Sequence, residues 1–482
     1  MRIDGGNAAN RPDLDTITHG RRGRAEGGLD LSELFDRISA GRMPVSSLSR
    51  IWILGSANAK IAAGYLACWL RGCFADAGEK ERLKNEANLT AALRLLGAMG
   101  YLRGAVMKLG QMLASLPEVV PEEFAELFSG LHFEAPPMHY ALVREVFLDE
   151  FGREPEELFA SFDRTAFAAA SLGQVHRARL KTGEDVAVKV QYPNIARTIT
   201  SDLRTLRLLL QPMCLSADWQ NLLDKLDDIE RMLLAETDYE QEAHFAMKAG
   251  SLFAEEENVV VAKIYPEYST GRVLTADYLH GVHLNEFLAS DPDQELRDHF
   301  THLITVATMR LLYRMRWLMA DPNPGNYIFM ADGRLGLIDF GCTRALIEEE
   351  WDMQSAVEAA LLRRDEAEME RLIVRASLYG SPEEMGAGRL AVVGRGIRWQ
   401  LEPWLTEGLF DFGDREFYRR GIDSFFEIAR KRYTRGMPVH FWTTRFILGA
   451  RAMVFRLRGR CDFKGIYEQE SGRHLPQLLE GP

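Results

Sequence analysis

The sequence predicts an α+β fold with a helical N-terminal extension and a mostly helical C-terminal half. Three observations carry this. Apolar residues recur at helical spacing through Leu93, Leu96, Met99, Leu102, Val106, Leu109 and Leu113. Two β-like runs, 173–178 and 185–190, flank the glycine-containing turn Lys181-Thr182-Gly183-Glu184 and read as a hairpin. From Glu348 onward the pattern returns to a helical period.

Taken in order, residues 1–29 are rich in Gly, Arg, Asn and Asp without an apolar period, which predicts a disordered, solvated tail. Asp30 and Glu33 form a capping pair for the first helix of an extension over 30–137. Pro117 and Pro121 break its helical pattern, and Pro136-Pro137 closes it. A short helix at 140–151, the hairpin, a helix over 226–246, and strands at 259–262 and 272–277 make up a first lobe, 138–278. A second lobe, 279–482, opens with a helix at 294–315 and a second hairpin around Asp332-Gly333. There is no internal repeat.

The chain has 482 residues, two or three domains' worth, and is 46% hydrophobic and 27% charged, enough to bury a sizeable core. Its net charge of -12, from 58 basic and 70 acidic residues, argues against a protein that coats nucleic acid. Five cysteines without a C-x-x-C pair signal neither a disulfide framework nor a zinc site, and fit a reducing cytoplasm. The most apolar stretch, 51–70, carries Lys60 and Asn58, against a transmembrane helix. The N-terminus lacks a signal-peptide hydrophobic core.

The chemistry concentrates in Asp321-Pro322-Asn323-Pro324-Gly325-Asn326, followed thirteen residues after Asn326 by Asp339-Phe340-Gly341. Asp, four residues, Asn, a hairpin, then Asp-Phe-Gly is the catalytic-loop and metal-loop arrangement of protein-kinase-like enzymes, and so implies a two-lobed kinase-like fold. One carboxylate, Asp321, must sit at the attacking group. The amide oxygen of Asn326 and the Asp339 carboxylate must meet at Mg²⁺ ions bridging the phosphates of ATP. Upstream, Val186-Ala187-Val188-Lys189 is a strand ending in Lys. Alone, Lys189 reads equally as an ordinary strand lysine; the downstream motif makes it the phosphate anchor, with Glu242 as its carboxylate partner. Glu236 and Asp238 form a second acidic pair. Where kinases carry a glycine-rich loop, this chain has Ala168, Ala169, Ala170, Ser171 and Gly173, whose Cβ atoms narrow the backbone conformations open to a nucleotide-binding loop.

These residues together resemble the UbiB/AarF-type atypical kinase family, which includes the ADCK proteins and the mitochondrial coenzyme Q kinases. The likeness runs over about 90–345, with a looser one at 44–72. Its most specific mark is Lys108-Leu109-Gly110-Gln111, which is similar to the family's K-x-G-Q motif. The alanine-rich loop with Gly173-Gln174-Val175-His176, the E-x-D pair Glu236 and Asp238, and the Asp321, Asn326 and Asp339 positions complete the set. The resemblance implies an ATP- and Mg²⁺-dependent kinase or ATPase serving ubiquinone (isoprenoid quinone) or related lipid metabolism, with quinone-biosynthesis proteins and a lipid surface as partners. It also implies that the helix bearing Lys108, Gly110 and Gln111 crosses the cleft and regulates it, Lys108 reaching Glu236 and Asp238. The alternatives are a nucleotide-binding pseudokinase scaffold, favoured by a filled cleft, and a small-molecule phosphotransferase, against which the K-x-G-Q helix argues.

Two departures stand out. Many family members have His on both sides of the catalytic Asp; here Met319 and Asn323 take those places, so any pH response of those histidines is lost. Asn323 resembles the D-P-N run of the coenzyme Q kinases. Residues 430–460 carry nine basic residues and no acid, interleaved with aromatics. They fit either a peripheral contact with the inner face of a membrane or a packed helix paired with acids elsewhere, the reading favoured here. The 51–70 helix is a second membrane-facing candidate. If Lys108 plugs the cleft, Lys108→Ala raises autophosphorylation in a radiolabelled-ATP assay; loss of nucleotide binding instead would refute the plug.

Overall fold

The computed structural model describes residues 138–472, apart from 171, 211–218, 320–322, 432 and 434–435. The chain divides into two compact units, 1–135 with 205–211, and 136–204 with 212–482; the described elements belong to the second, save the end of one helix. The N-terminal tail, the helical extension with Lys108, Gly110 and Gln111, and the 51–70 stretch lie outside the described residues, as do Ser171 and Asp321.

Helix α1 (Tyr140–Phe151) begins where the His139 ring accepts from the Ala141 amide and ends at Gly152, whose φ of 64° is a left-handed cap that glycine adopts without strain. Val143, Val146 and Phe147 form its buried stripe, at the three- and four-residue spacing of one helix face. After α2 (Pro155–Leu158) comes an antiparallel sheet in the order β1 (Ser161–Phe162), β3 (Gly173–Arg179), β4 (Asp185–Gln191), β6 (Val273–Asp277), with β2 (Ala168–Ala170) laid on β3. Strand alternation divides β4 cleanly. Val186, Val188 and Val190 enter the core with α1, Phe159 and Phe162, which leaves Ala187 and Lys189 on the opposite face.

Helices α3 (Ile195–Leu210), α4 (Trp219–Ala235) and α5 (Tyr239–Leu252) follow β4. The single helix predicted over 226–246 is therefore two. The chain turns at Glu236-Thr237-Asp238, and the Asp238 side chain accepts from the Gln241 amide as the N-cap of α5. An aspartate competes with the helix for backbone hydrogen bonds and starts a new one more readily than it continues an old one.

The second half is built on α7 (Gln294–Met315), which follows β5 (Val259–Val261) and α6 (Leu284–Ala289). Asp293 caps its start, and Arg316, at φ 56°, ends it. The chain then forms β7 (Trp317–Met319), a 3₁₀ turn (Pro324–Asn326), and the hairpin β8 (Tyr327–Phe329) and β9 (Leu335–Leu337), with β5 parallel to β9 on its other side. β10 (Thr343–Ala345) returns to pair with β7.

The remainder is mostly helical: α8 (Glu348–Leu362), α9 (Glu366–Ala376), α10 (Pro382–Met385), α11 (Ala387–Leu401), α12 (Arg415–Arg430), α13 (Pro438–Leu457) and α14 (Phe463–Ser471), with the short pair β11 (Phe410–Asp411) and β12 (Arg460–Cys461). Much of the basic 430–460 stretch lies in α13, which buries Val439, Trp442, Phe446, Met453, Val454 and Leu457. Arg451 is buried too. Its guanidinium lies 4.6 Å from the Trp399 ring and donates to the last carbonyls of α11, those of Trp399 (3.2 Å) and Gln400. Arg456 pairs with Asn285, and Arg460 with Asp298 at 2.8 Å. Arg451 is thus held inside the fold, while Arg456 and Arg460 pair at its surface. Among the described residues no helix is long and apolar enough to cross a membrane.

α14 is fastened to α7 by Glu470. Its carboxylate, 1% exposed, takes Arg310 at 2.7 Å and Arg314 at 2.7 Å. Arg310 also meets Glu256 at 3.0 Å and Arg314 is 44% exposed, so losing Glu470 removes charged hydrogen bonds without leaving either cation unpartnered. Glu470→Leu is expected to lower stability by about 2 kcal/mol, read as the shift in urea unfolding midpoint.

Candidate functional site

Two carboxylates from distant segments meet at Lys189 on β4. Its Nζ lies 3.0 and 2.9 Å from the two oxygens of Glu242 on α5, and 3.2 Å from Oδ2 of Asp339, just after β9. The ring of Tyr239 sits under the same ammonium at 5.0 Å. Antiparallel register fixes Lys189 opposite Leu274 and Val175, one residue out of phase with the valines that face the core. Tyr239 and Glu242 are three residues apart on α5 and so share a face.

Burial differs sharply across the three. The side chain of Glu242 is 3% exposed and that of Lys189 15%, whereas Asp339 keeps 28% of its surface open to a ligand. Burial alone would pull the Lys189 ammonium down, but the carboxylates of Asp339 and Glu242 outweigh it and hold the group well above the ordinary lysine range. Burial pushes the Glu242 carboxyl up to about 7, against the downward pull of Lys189. Burial likewise raises the Tyr239 hydroxyl above its usual range.

Two glycines make room for this cluster. A Cβ on Gly341 would lie 3.0 Å from Oε2 of Glu242 and 3.4 Å from Oδ1 of Asp339, and the Gly341 amide donates to that same Oδ1 at 2.9 Å. A Cβ on Gly173 would sit 2.3 Å from the Val190 carbonyl and 3.0 Å from the Tyr239 hydroxyl. Only glycine lets β3 lie this close to β4 beneath the loop. Ala168, Ala169 and Ala170 pair with Val175, Gln174 and Gly173, forming a short flap on β3.

Asn326 ends the 3₁₀ turn, and its carbonyl accepts from the Ile338 amide at 3.2 Å, so the β8–β9 hairpin sets it beside the Asp339 segment. Asn323 caps that turn: its Oδ1 accepts from Gly325 N at 2.9 Å and its carbonyl from Asn326 N at 2.9 Å. Met319 is buried in β7 opposite Thr343. Glu236 is buried, while Asp238 is exposed and occupied in capping α5, so the two acids do not present one common face. Sequence reasoning did not single out Tyr239; its spacing of three from Glu242 was the available signal. The closeness of Gly341 to Glu242 had no sequence signal beyond its place after Asp339-Phe340.

An antiparallel sheet carrying a buried Lys–Glu pair, followed by a helical half whose hairpin leads into Asp-Phe-Gly, defines a kinase-like fold. The chain belongs to the ABC1 atypical kinase-like family, whose domain model matches residues 130–373. It is 28% identical over 391 residues to the mitochondrial atypical kinase COQ8 of Schizosaccharomyces pombe, covering 80% of this chain and 62% of that protein. It is 30% identical over 284 residues to AarF domain-containing protein kinase 1 of Xenopus laevis, covering 58% of this chain and 55% of that one. The chain thus spans about three-fifths of the length of these curated relatives. A solved structure, the Rv3197–erythromycin complex from Mycobacterium tuberculosis, superposes with a TM-score of 0.54 at 25% identity over 81% of this chain and 98% of that one.

The raised Glu242 carboxyl gives a pH dependence of definite sign. The unfolded chain releases this proton near the ordinary value of 4.5, and the folded protein holds it to about 7. Its contribution to stability is full below 4.5 and is lost as pH rises through 7. Wild-type stability, measured by urea unfolding, should therefore fall relative to Glu242→Gln between pH 4.5 and 7; parallel curves would contradict the assignment.

Proposed function

We propose that this protein binds ATP in the cleft around Lys189 and transfers or hydrolyses its γ-phosphoryl group, in service of isoprenoid-quinone (ubiquinone) or related lipid metabolism. The observation that carries the reading is the convergence of Lys189, Glu242 and Asp339 within hydrogen-bond reach. On this reading 138–278 and 279–482 are the two lobes, preceded by the tail 1–29 and the extension 30–137.

Each residue then has a definite task. Lys189 neutralises the α- and β-phosphates, and Glu242 holds its ammonium in place. The flap of Ala168, Ala169, Ala170, Ser171 and Gly173 covers the phosphates with backbone amides. Asp321 accepts the proton of the attacking hydroxyl or water. Asn326 and Asp339 supply an amide and a carboxylate oxygen, a hard donor set suited to Mg²⁺, and Asp339 keeps an exposed edge for it. The bound ion would supply charge neutralisation between the phosphates. Lys108, with Gly110 and Gln111, regulates access to the cleft.

The relatives' names support a kinase-type activity, and the Asp321-Pro322-Asn323 run supports the quinone branch. Partners on this reading are quinone-biosynthesis proteins and a lipid surface, met from the cytoplasmic side by a peripheral contact. The test is ATP turnover with and without Mg²⁺. Asp339→Asn and Lys189→Met should each lower it by at least about a hundredfold, with the fold retained by circular dichroism. Turnover unchanged in Asp339→Asn refutes the reading. Quinone profiling of a deletion strain complemented with wild type or Asp339→Asn tests the pathway separately.

A further inference from the structure

The core between α1 and the sheet holds two polar side chains that the proposed chemistry does not use. Gln174 and His176 alternate with Val175 along β3, and their cross-strand partners are the buried Val190 and Val188. They therefore face α1, while Lys189 faces away from it. Both are almost wholly buried, at 1% and 0% exposure. The His176 ring stacks on Phe162 at 4.9 Å.

Their hydrogen bonds form a directed chain. His176 Nδ1 lies 2.7 Å from the Asp163 carbonyl, which can only accept, so Nδ1 carries the proton. Nε2 of the neutral ring is then an acceptor, and Gln174 Nε2 donates to it at 2.8 Å. That orients the amide, whose Oε1 accepts from the Met138 backbone N at 2.7 Å, while Nε2 also reaches the Met138 carbonyl at 3.5 Å. Burying an amide and an imidazole among valines and phenylalanines costs free energy that two apolar side chains would not. What the pair adds is direction: it fixes one residue of the incoming chain to one residue of β3.

We propose that Gln174 and His176 are positioning residues, a polar clamp tying the chain at Met138 to β3 and so setting the alanine flap paired with it. Gln174 is the residue opposite Ala169, so the clamp acts at the centre of the flap's pairing. The consequence for nucleotide affinity rests on the ATP-binding reading above; the clamp itself does not.

The test uses the full chain and the double variant Gln174→Met/His176→Phe, which keeps the side-chain volume and removes all four polar atoms. The Gln174–His176 bond loses both partners, which is close to neutral, and the Met138 amide and Asp163 carbonyl, on residues that are half-buried and exposed, turn to water. The expected result is an unfolding midpoint near wild type, hydrogen exchange of amides 167–170 faster by about tenfold in the unliganded protein, and a Kd for MgATP weaker by about tenfold. Unchanged exchange in a folded variant overturns the clamp, as does acceleration spread evenly over the whole sheet. If wild type fails to bind MgATP, the nucleotide reading falls while exchange still decides the clamp. A variant that does not fold leaves the ¹⁵N shifts of His176 in wild type to decide: a proton on Nδ1 alone supports the relay, and one on Nε2 overturns it.

Discussion

The ammonium of Lys189 is the charge around which the described cleft is arranged. It draws Glu242 from 53 residues away and Asp339 from 150 residues away in sequence. Neither carboxylate could stand so close to the other without a cation between them. The demands of that meeting explain features that look unrelated. Gly341 lacks a side chain because Glu242 occupies the space, and Tyr239 fills the floor beneath the ammonium. The turn at Glu236-Thr237-Asp238 begins a new helix whose first turn carries both Tyr239 and Glu242.

Much of this was legible in the sequence because the pieces are local. A hairpin announces itself by two alternating runs and a glycine turn, and 173–190 did so. The Asp321 to Asp339 spacing encodes a loop and a hairpin, so it places Asn326 near Asp339 before any coordinates exist. What was not legible depends on contacts between distant segments. The break after Ala235 was hidden because acidic residues sit comfortably on a helix surface, and only the Asp238 cap shows that they mark a boundary. The polar pair at Gln174 and His176 was hidden because a period-two pattern says which face a residue takes and nothing about whether an amide there finds a partner. What Arg451, Arg456 and Arg460 meet was likewise hidden, because Trp399, Asn285 and Asp298 come from distant segments.

The loop before β8 shows how a replacement can change chemistry while preserving shape. Met319 adds apolar volume to a buried strand, and Asn323 spends its side chain on capping the turn that ends at Asn326. Neither group titrates near neutral pH. Among Lys189, Tyr239, Glu242 and Asp339, Glu242 is the one whose environment carries it toward neutrality.

The Glu470 tie also bears on the order in which the protein can be made. Arg310 lies in the middle of α7 and meets its carboxylate 160 residues later. A ribosome delivers Arg310 after one of its counter-ions, Glu256 at 3.0 Å, but long before Glu470, at a handful of residues each second. During that interval Phe253 and Glu256 are the partners already available to it, and the helix that completes the cluster is still being synthesised. The antiparallel sheet, closed by residue 277, has no such debt and can form first. Vectorial synthesis thus favours a nascent protein whose sheet is complete while its helical half still waits for its last helix.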